Sequence, residues 1–277
     1  MIISTIKDGF GNQLFMYACG YAMSKRFHEK LALDTTYLAT SDLREYELSG
    51  LHIKYDKMYL INKRLPYFIK VTIRKIIHAY MSVRFKQYIE SEAWHFDDSI
   101  FKYGKSCRLK GYWQCEKYFK EYRNEILAML IPNYNTTDSF NSLLDKIKAS
   151  NSISVHVRRG DYVALGICLG DAYYKAAIRM MNEKVENPVF YVFSDDIEYA
   201  KGLFEDIDNA AIKFVDYEAR NATIEDFLLM KSCQHNIVAN SSYSWWGAWA
   251  NENEEKIVVC PKREPVDDFY PKEWIAL

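Results

Sequence analysis

The 277-residue sequence predicts an α/β protein built on parallel sheets, and three observations carry that expectation. Short apolar runs rich in Ile and Val recur along the chain, and each is followed by a segment of helical spacing, the pattern of βαβ units. The length accommodates one large domain or two compact ones, since domains most often run to about 100–150 residues. A polar, turn-rich stretch at Asn133 to Ser142 places a junction between Pro132 and Ser152. With the boundary at 145/146, the chain divides into domains 1–145 and 146–277.

The first strand is Ile2 to Ile6. It leads into a turn, Asp8-Gly9-Phe10-Gly11-Asn12, and then into a helix in which Leu14, Ala18, Tyr21 and Ala22 share a face. Leu31 to Leu33 is the second strand. In the C-terminal half, strands are expected at Ile153 to Val157, Val189 to Phe193, Ile212 to Val215, Ile237 to Ala239 and Ile257 to Val259, each separated from the next by a segment that can be helical. That half reads as a doubly wound domain.

The middle differs. Between Asp56 and Glu90 there is no Asp or Glu, whereas Lys57, Lys63, Arg64, Lys70, Arg74, Lys75, Arg84 and Lys86 are all basic. Within this segment Ile69, Ile73, Ile76, Ile77 and Tyr80 fall at helical spacing. One reading is an ordinary surface helix that packs this stripe inward and shows its basic face to water. The other is a helix lying on an anionic membrane surface, with Lys63, Arg64, Lys70, Arg74 and Lys75 as its contacts.

A formal net charge of -1 argues against a dedicated nucleic-acid binder, which would carry a basic excess. Cys19, Cys107, Cys115, Cys168, Cys233 and Cys260 are scattered, with no CxxC pair and no zinc spacing, so no metal site is expected and a reducing compartment is the natural home. The apolar start is too soon followed by Lys7 and Asp8 to be a signal peptide, and no run reaches the roughly 18 to 20 apolar residues that span a bilayer. The expected location is therefore cytoplasmic, with the basic segment as the one feature that would hold the protein at the inner membrane face.

Three strand ends carry chemistry. His156-Val157-Arg158-Arg159-Gly160-Asp161-Tyr162 delivers two guanidinium groups to the carboxyl end of a strand, where open α/β sheets place their ligands. A guanidinium donates two parallel hydrogen bonds and keeps its charge, which suits a diphosphate; the bland alternative is a pair of surface arginines held by acids. Phe193-Ser194-Asp195-Asp196 offers carboxylates for a metal, a ribose or a base, or simply a helix cap. Asn240-Ser241-Ser242-Tyr243-Ser244 precedes a Trp-rich helix, and hydroxyls at a helix N-terminus form an anion site or, again, a cap. Arginines, acids and serines from one sheet describe a nucleotide-diphosphate pocket together better than any one does alone. There is no dinucleotide fingerprint, P-loop or GxSxG elbow.

GFGNQLFMYA (Gly9 to Ala18), GYWQCEKYF (Gly111 to Phe119), HVRRGDY, FSDD and CQHNIVANSSYSWWGAWA (Cys233 to Ala250), in this order over nearly the whole chain, resemble glycosyltransferase family 11, the family of α-1,2-fucosyltransferases. The resemblance implies a GT-B fold of two Rossmann-like domains facing a cleft, GDP-β-L-fucose as donor, inversion at the anomeric carbon and no cofactor or metal. It also implies a β-galactoside acceptor in a surface glycan or oligosaccharide, with a lipid-linked carrier left open. Carried over residue by residue, Arg158 would hold the β-phosphate and stabilise departing GDP, His156 would contact the nucleotide, and Arg159 would brace the loop. Asp195 would meet the guanine or ribose, Ser242 and Ser244 the phosphate oxygens, and Asn12 the sugar and diphosphate, with Ser194 and Ser241 also among the donor-binding residues. For the general base, Asp161 and Asp8 stand beside a base-free path in which the proton passes late to the leaving phosphate. The sequence departs from a common GGLGNQ form at Asp8-Gly9-Phe10-Gly11, and has Cys115 where many relatives have serine. Other readings are a transferase of another GDP-sugar or fucosyl linkage, a carbohydrate-binding protein, and an adhesion protein displaying Arg159-Gly160-Asp161.

Overall fold

The computed structural model describes residues 1–102, 104–207 and 210–277. It is an α/β structure of two compact units, each built on its own parallel sheet. The first unit comprises Met1–Asn133 together with Asp267–Pro271, and the second comprises Tyr134–Val266 and Lys272–Leu277. The helix Asp138–Lys148 spans the 145/146 boundary set from the sequence and stands wholly in the second unit.

In the first unit the chain runs β1 (Ile2–Thr5), α1 (Phe10–Arg26), β2 (Leu31–Asp34), β3 (Lys57–Tyr59), α2 (Tyr67–Arg84), β4 (Lys86–Ile89), β5 (Cys107–Lys110) and α3 (Arg123–Leu127). The sheet order is β3-β2-β1-β5-β4, with every pairing parallel. β1 lies at the centre and is wholly buried, as a strand covered on both faces must be. α1 packs down onto it because Gly20 has no side chain, and a Cβ there would stand 2.7 Å from the Ser4 Cβ. On the face expected of α1, Leu14, Ala18 and Ala22 are buried, whereas Tyr21 reaches the surface and donates to Glu125 at 2.6 Å.

β5 carries a fully buried arginine. Arg108 pairs with Asp34 at the end of β2, and neither is exposed to solvent. Thr36 Oγ1 donates to the same carboxylate at 2.6 Å, and His78 of α2 lies 3.3 Å from it. Burial alone would raise the Asp34 carboxyl, but these hydrogen bonds and the Arg108 charge carry it below its usual range.

The second unit runs α4 (Asp138–Lys148), β6 (Ser152–Val157), α5 (Gly160–Leu165), α6 (Asp171–Lys184), β7 (Val189–Ser194), α7 (Ile197–Phe204), β8 (Ala211–Phe214), α8 (Ala222–Ser232), β9 (His235–Ile237), α9 (Ser242–Ala250), β10 (Val258–Cys260) and β11 (Ile275–Ala276). The order β11-β10-β9-β6-β7-β8 is again parallel throughout. Ile153, Val155 and Val157 of β6 join Tyr174, Ala177 and Ile178 of α6 and Leu203 of α7 in one apolar core. Alternation sends Ser154 and His156 to the opposite face, where Ser154 Oγ accepts from Asn236 Nδ2 at 2.7 Å.

Candidate active site

In the second unit β7 and β8 lie on one side of β6, and β9, β10 and β11 on the other. The order of travel across the sheet reverses at β6, and at such a switch point the carboxyl ends of the strands splay apart to leave room for a ligand. The residues there are Arg158 to Asp161 after β6, Ser194 to Asp196 closing β7, and Val238 to Ser242 after β9.

Arg158 is the hub. Its Nη1 donates to Asp195 Oδ2 at 2.6 Å and its Nη2 to Asp161 Oδ1 at 2.6 Å, with a quarter of the side chain open to solvent. Asp195 also accepts the backbone N–H of Arg159 at 2.8 Å through Oδ1, so one carboxylate fixes both the guanidinium and the turn that carries it. Gly160 makes this possible: its φ is +22°, and a Cβ would stand 2.5 Å from Asp195 Oδ2. Arg159 turns the other way, its guanidinium 3.7 Å above the Tyr199 ring and its Nε 3.7 Å from Asp196. Both arginines are thus held by acids, the bland alternative named from the sequence. The same carboxylates aim Arg158 across the strand ends.

His156 lies beneath, with its ring 5.5 Å from that of Tyr243 and its Nδ1 buried without a partner. Burial, and then the Arg158 charge, lower its pKa to about 3, so the imidazole is neutral at physiological pH. The serines divide. Ser194 Oγ donates to the Val157 carbonyl at 2.9 Å and accepts from the Asp196 N–H at 3.0 Å, tying β7 to β6. Ser241 caps α9 by accepting from the Tyr243 N–H at 3.3 Å, and buried Ser244 accepts from the Ala239 N–H at 3.1 Å. Ser242, in the first turn of α9, is partly exposed. The cap of α9 is therefore Ser241. Tyr162 OH, donating to the Asn240 carbonyl at 3.3 Å, joins the arginine segment to the serine segment.

Asn12 belongs to the first unit. There β2 and β3 lie on one side of β1, and β5 and β4 on the other, so the switch point falls between β1 and β5. Asp8, at φ 60°, accepts from Tyr112 OH at 2.6 Å, and burial followed by the Asp8 bond pushes the Tyr112 hydroxyl up. Asn12 Oδ1 accepts from Gln114 Nε2 at 2.8 Å, and Gln114 Oε1 accepts from Trp94 Nε1 at 2.8 Å. Tyr112 and Gln114 had no role in the sequence reading, although both lie in GYWQCEKYF; neither carries a charge or a periodicity that would single it out.

A second group missed from sequence surrounds the start of α8. Glu225, wholly buried, accepts the backbone N–H groups of Arg220 and Asn221, both at 3.3 Å. Asp226 accepts from Tyr217 OH at 2.9 Å, and burial pushes its carboxyl up to about 6. Among the described residues no group of three or more His, Cys, Asp or Glu is placed to hold a metal ion.

Comparison with known proteins adds the following. The model of glycosyl transferase family 11 matches residues 1–277. An α-1,2-colitosyltransferase of Escherichia coli is 32% identical over all of this chain and 99% of its own. The O-antigen biosynthesis glycosyltransferase WbnK of Escherichia coli is 30% identical over 94% of this chain and 93% of its own. A galactoside α-(1,2)-fucosyltransferase 1 of Leontopithecus chrysomelas is 26% identical over 61% of this chain and 52% of its own. Among solved structures, a mutant of Arabidopsis thaliana FUT1 in complex with GDP superposes with a TM-score of 0.53 at 10% identity, covering 93% of this chain and 69% of that one. This last likeness is one of fold, the GT-B type.

Proposed function

The chain belongs to glycosyl transferase family 11 and is a glycosyltransferase; on that premise we propose that it moves L-fucose from GDP-β-L-fucose to the 2-hydroxyl of a terminal β-galactoside, with inversion. The observation that carries the reading is Arg158, braced by two carboxylates at the switch point of a doubly wound sheet, within one turn of chain from the neutral His156. The galactoside fucosyltransferase among the relatives and the GDP in the solved structure of like fold support donor and acceptor.

In the transfer the acceptor O2 attacks the anomeric carbon, and the bond from that carbon to the β-phosphate oxygen breaks with its electron pair going to GDP. The departing diphosphate gathers negative charge. Arg158 meets it by exchanging one of its carboxylate bonds for a phosphate oxygen, and Asp195, still holding the Arg159 N–H, keeps the guanidinium aimed. The N-terminus of α9 adds its positive dipole end, and the hydroxyl of Ser242 is free to turn toward a phosphate oxygen. Ser194, Ser241 and Ser244 serve by fixing the strand ends, since their hydroxyls are engaged by backbone. His156, being neutral, offers the nucleotide a hydrogen bond without adding charge. Asp161 takes the acceptor proton once the diphosphate displaces it from Arg158. No metal takes part.

The test is transfer from GDP-fucose to lactose in EDTA by the wild type and by Arg158→Ala, with the linkage read by NMR. Transfer to galactose O2 that survives EDTA and falls by about 10²-fold or more in the variant is expected. Unaltered transfer by Arg158→Ala would overturn the role of Arg158, and an absence of GDP binding would overturn the pocket. A second reading, colitose as the transferred sugar, is favoured by the name of the 32% identical relative, and GDP-colitose run beside GDP-fucose separates the two.

A further inference from the structure

The basic helix of the first unit packs only part of its apolar stripe inward: Ile69, Ile73 and Ile77 are half-buried, whereas Ile76 and Tyr80 are exposed. A surface helix turns its apolar stripe inward. In α2 the inward side carries Ile77 and buried Met81, which join Ile3 and Ala32, but it also carries Arg74 and His78. Arg74 donates to Thr40 Oγ1 and lies 5.2 Å from the Tyr37 ring, and His78 Nε2 is 2.9 Å from Thr36 Oγ1. The side left outward bears Phe68, Thr72, Lys75, Ile76, Ala79 and Val83, which fall on one face by helical spacing and are all exposed. Phe68 is 70% exposed, Ile76 64% and Val83 92%. Of the five basic residues expected to meet a membrane, Arg74 is therefore turned inward, Lys70 donates to the Lys63 carbonyl, and Lys63 pairs with Glu45. Arg64 and Lys75 are left outward, and exposed Arg84 and Lys86 join them.

We propose that the outer face of α2, with Phe68, Ile76 and Val83 as its apolar contacts and Lys75, Arg84, Arg64 and Lys86 around them, seats the protein on a membrane surface that carries anionic lipid. The helix is about 27 Å long at 1.5 Å per residue, and Phe68, Ile76 and Val83 stand out from it along one ridge. Charge selects the occupant. From residue 57 to residue 89 there is no Asp or Glu, so a symmetric dimer through this ridge would set each basic segment against itself. An anionic headgroup layer offers the opposite sign over the whole length, and acyl chains accept the apolar side chains. Among the described residues no helix is long and apolar enough to cross a bilayer.

The test is sedimentation of the full chain with phosphatidylcholine vesicles, with and without 30% phosphatidylglycerol. Binding to the anionic vesicles, weakening as salt rises, is expected. Lys75→Ala with Arg84→Ala should lower partitioning by about 25-fold, at about fivefold per basic residue near the surface. Val83→Asp should abolish it while leaving the thermal unfolding midpoint in place, because the side chain touches so little of the protein. Equal binding to neutral vesicles, or binding that salt does not weaken, would overturn the proposal. So would a dimer in light scattering that Val83→Asp dissociates, which would assign the ridge to a second copy, or retention by an acidic protein without vesicle binding. Transfer to soluble lactose by Val83→Asp reads the active site separately, so loss of vesicle binding and loss of the proposed activity are distinguishable.

Discussion

Lowering the pH from 7 to 5 removes folding stability through His156, and the amount follows from its burial. The imidazole has an ordinary pKa of 6.5 and one of about 3 in the folded protein. Above 6.5 both states are neutral and its contribution to stability is fully present. Below 6.5 the unfolded chain takes up a proton that the folded one refuses, so stability falls with pH until the folded value is reached. At 1.36 kcal/mol per pH unit, the step from 7 to 5 costs about 2 kcal/mol. Asp226 runs the other way. Its folded pKa of about 6 lies above the ordinary 3.8, so its contribution is fully present below 3.8 and is lost as pH rises through 6. The same downward step therefore returns about 1 kcal/mol through Asp226. Urea unfolding of the wild type and of His156→Gln at both pH values isolates the first effect, because Asp226 and every other group cancel between the two proteins. The wild type should lose about 2 kcal/mol more than the variant over the step. Parallel losses in the two proteins, within about 0.5 kcal/mol, would show that His156 titrates normally and would refute the argument from burial.

Asp34→Asn should destabilise the first unit by about 3–5 kcal/mol in chemical unfolding, because it strands Arg108 in the interior with Nε and Nη1 already lacking partners. The double replacement Asp34→Leu with Arg108→Met should recover much of that loss, since it removes both buried charges together. Gly20→Ala should lower stability by about 1–3 kcal/mol through its clash with Ser4, whereas Gly202→Ala, where an added Cβ meets nothing within 4 Å, should raise it by about 0.5–1 kcal/mol. A differential scanning midpoint moving the same way for both glycines would refute the close approach of α1 to β1.

Apart from the edge strand β8, the strands read from the sequence are ones that pair on both sides. β1, β6 and β7 are apolar runs because both faces are covered, and the expected spans differ from the observed ones by a residue or so. β3 and β4 went unseen because they are sheet edges, where Lys57, Lys86 and Gln87 face partly outward and break the apolar run. β5 went unseen for the opposite reason. It is a central strand, yet Arg108 and Lys110 make it read as polar, and only the partner Asp34, far away in sequence, explains a buried arginine. The same blindness to distant partners limited the site. Arg158, Asp195 and Asp161 announced themselves as charges at a strand end, but that Asp195 orients both arginines depends on a contact across 37 positions. The orientation of α2 was legible in part: Ile69, Ile73 and Ile77 are half-buried, as a stripe packed inward requires, whereas Ile76 and Tyr80 stand exposed. The pull of Asp34 and Thr36 on His78, and of Thr40 and Tyr37 on Arg74, sets which side faces the sheet.

Asp267–Pro271 complete the first unit from beyond the second in the chain. There Asp268 pairs with Lys117 and accepts the Phe96 N–H at 3.0 Å, while the Phe269 ring comes within 6.1 Å of Phe15 on α1. On a ribosome the first unit is therefore left unfinished while all of Tyr134–Val266 is made, an interval on the order of ten seconds at ordinary elongation rates. During it Phe15 lacks one of its covering rings, and Lys117 lacks its acid. The late segment acts as a clasp: neither unit corresponds to a contiguous gene fragment, and the first closes only after the second has been spoken in full.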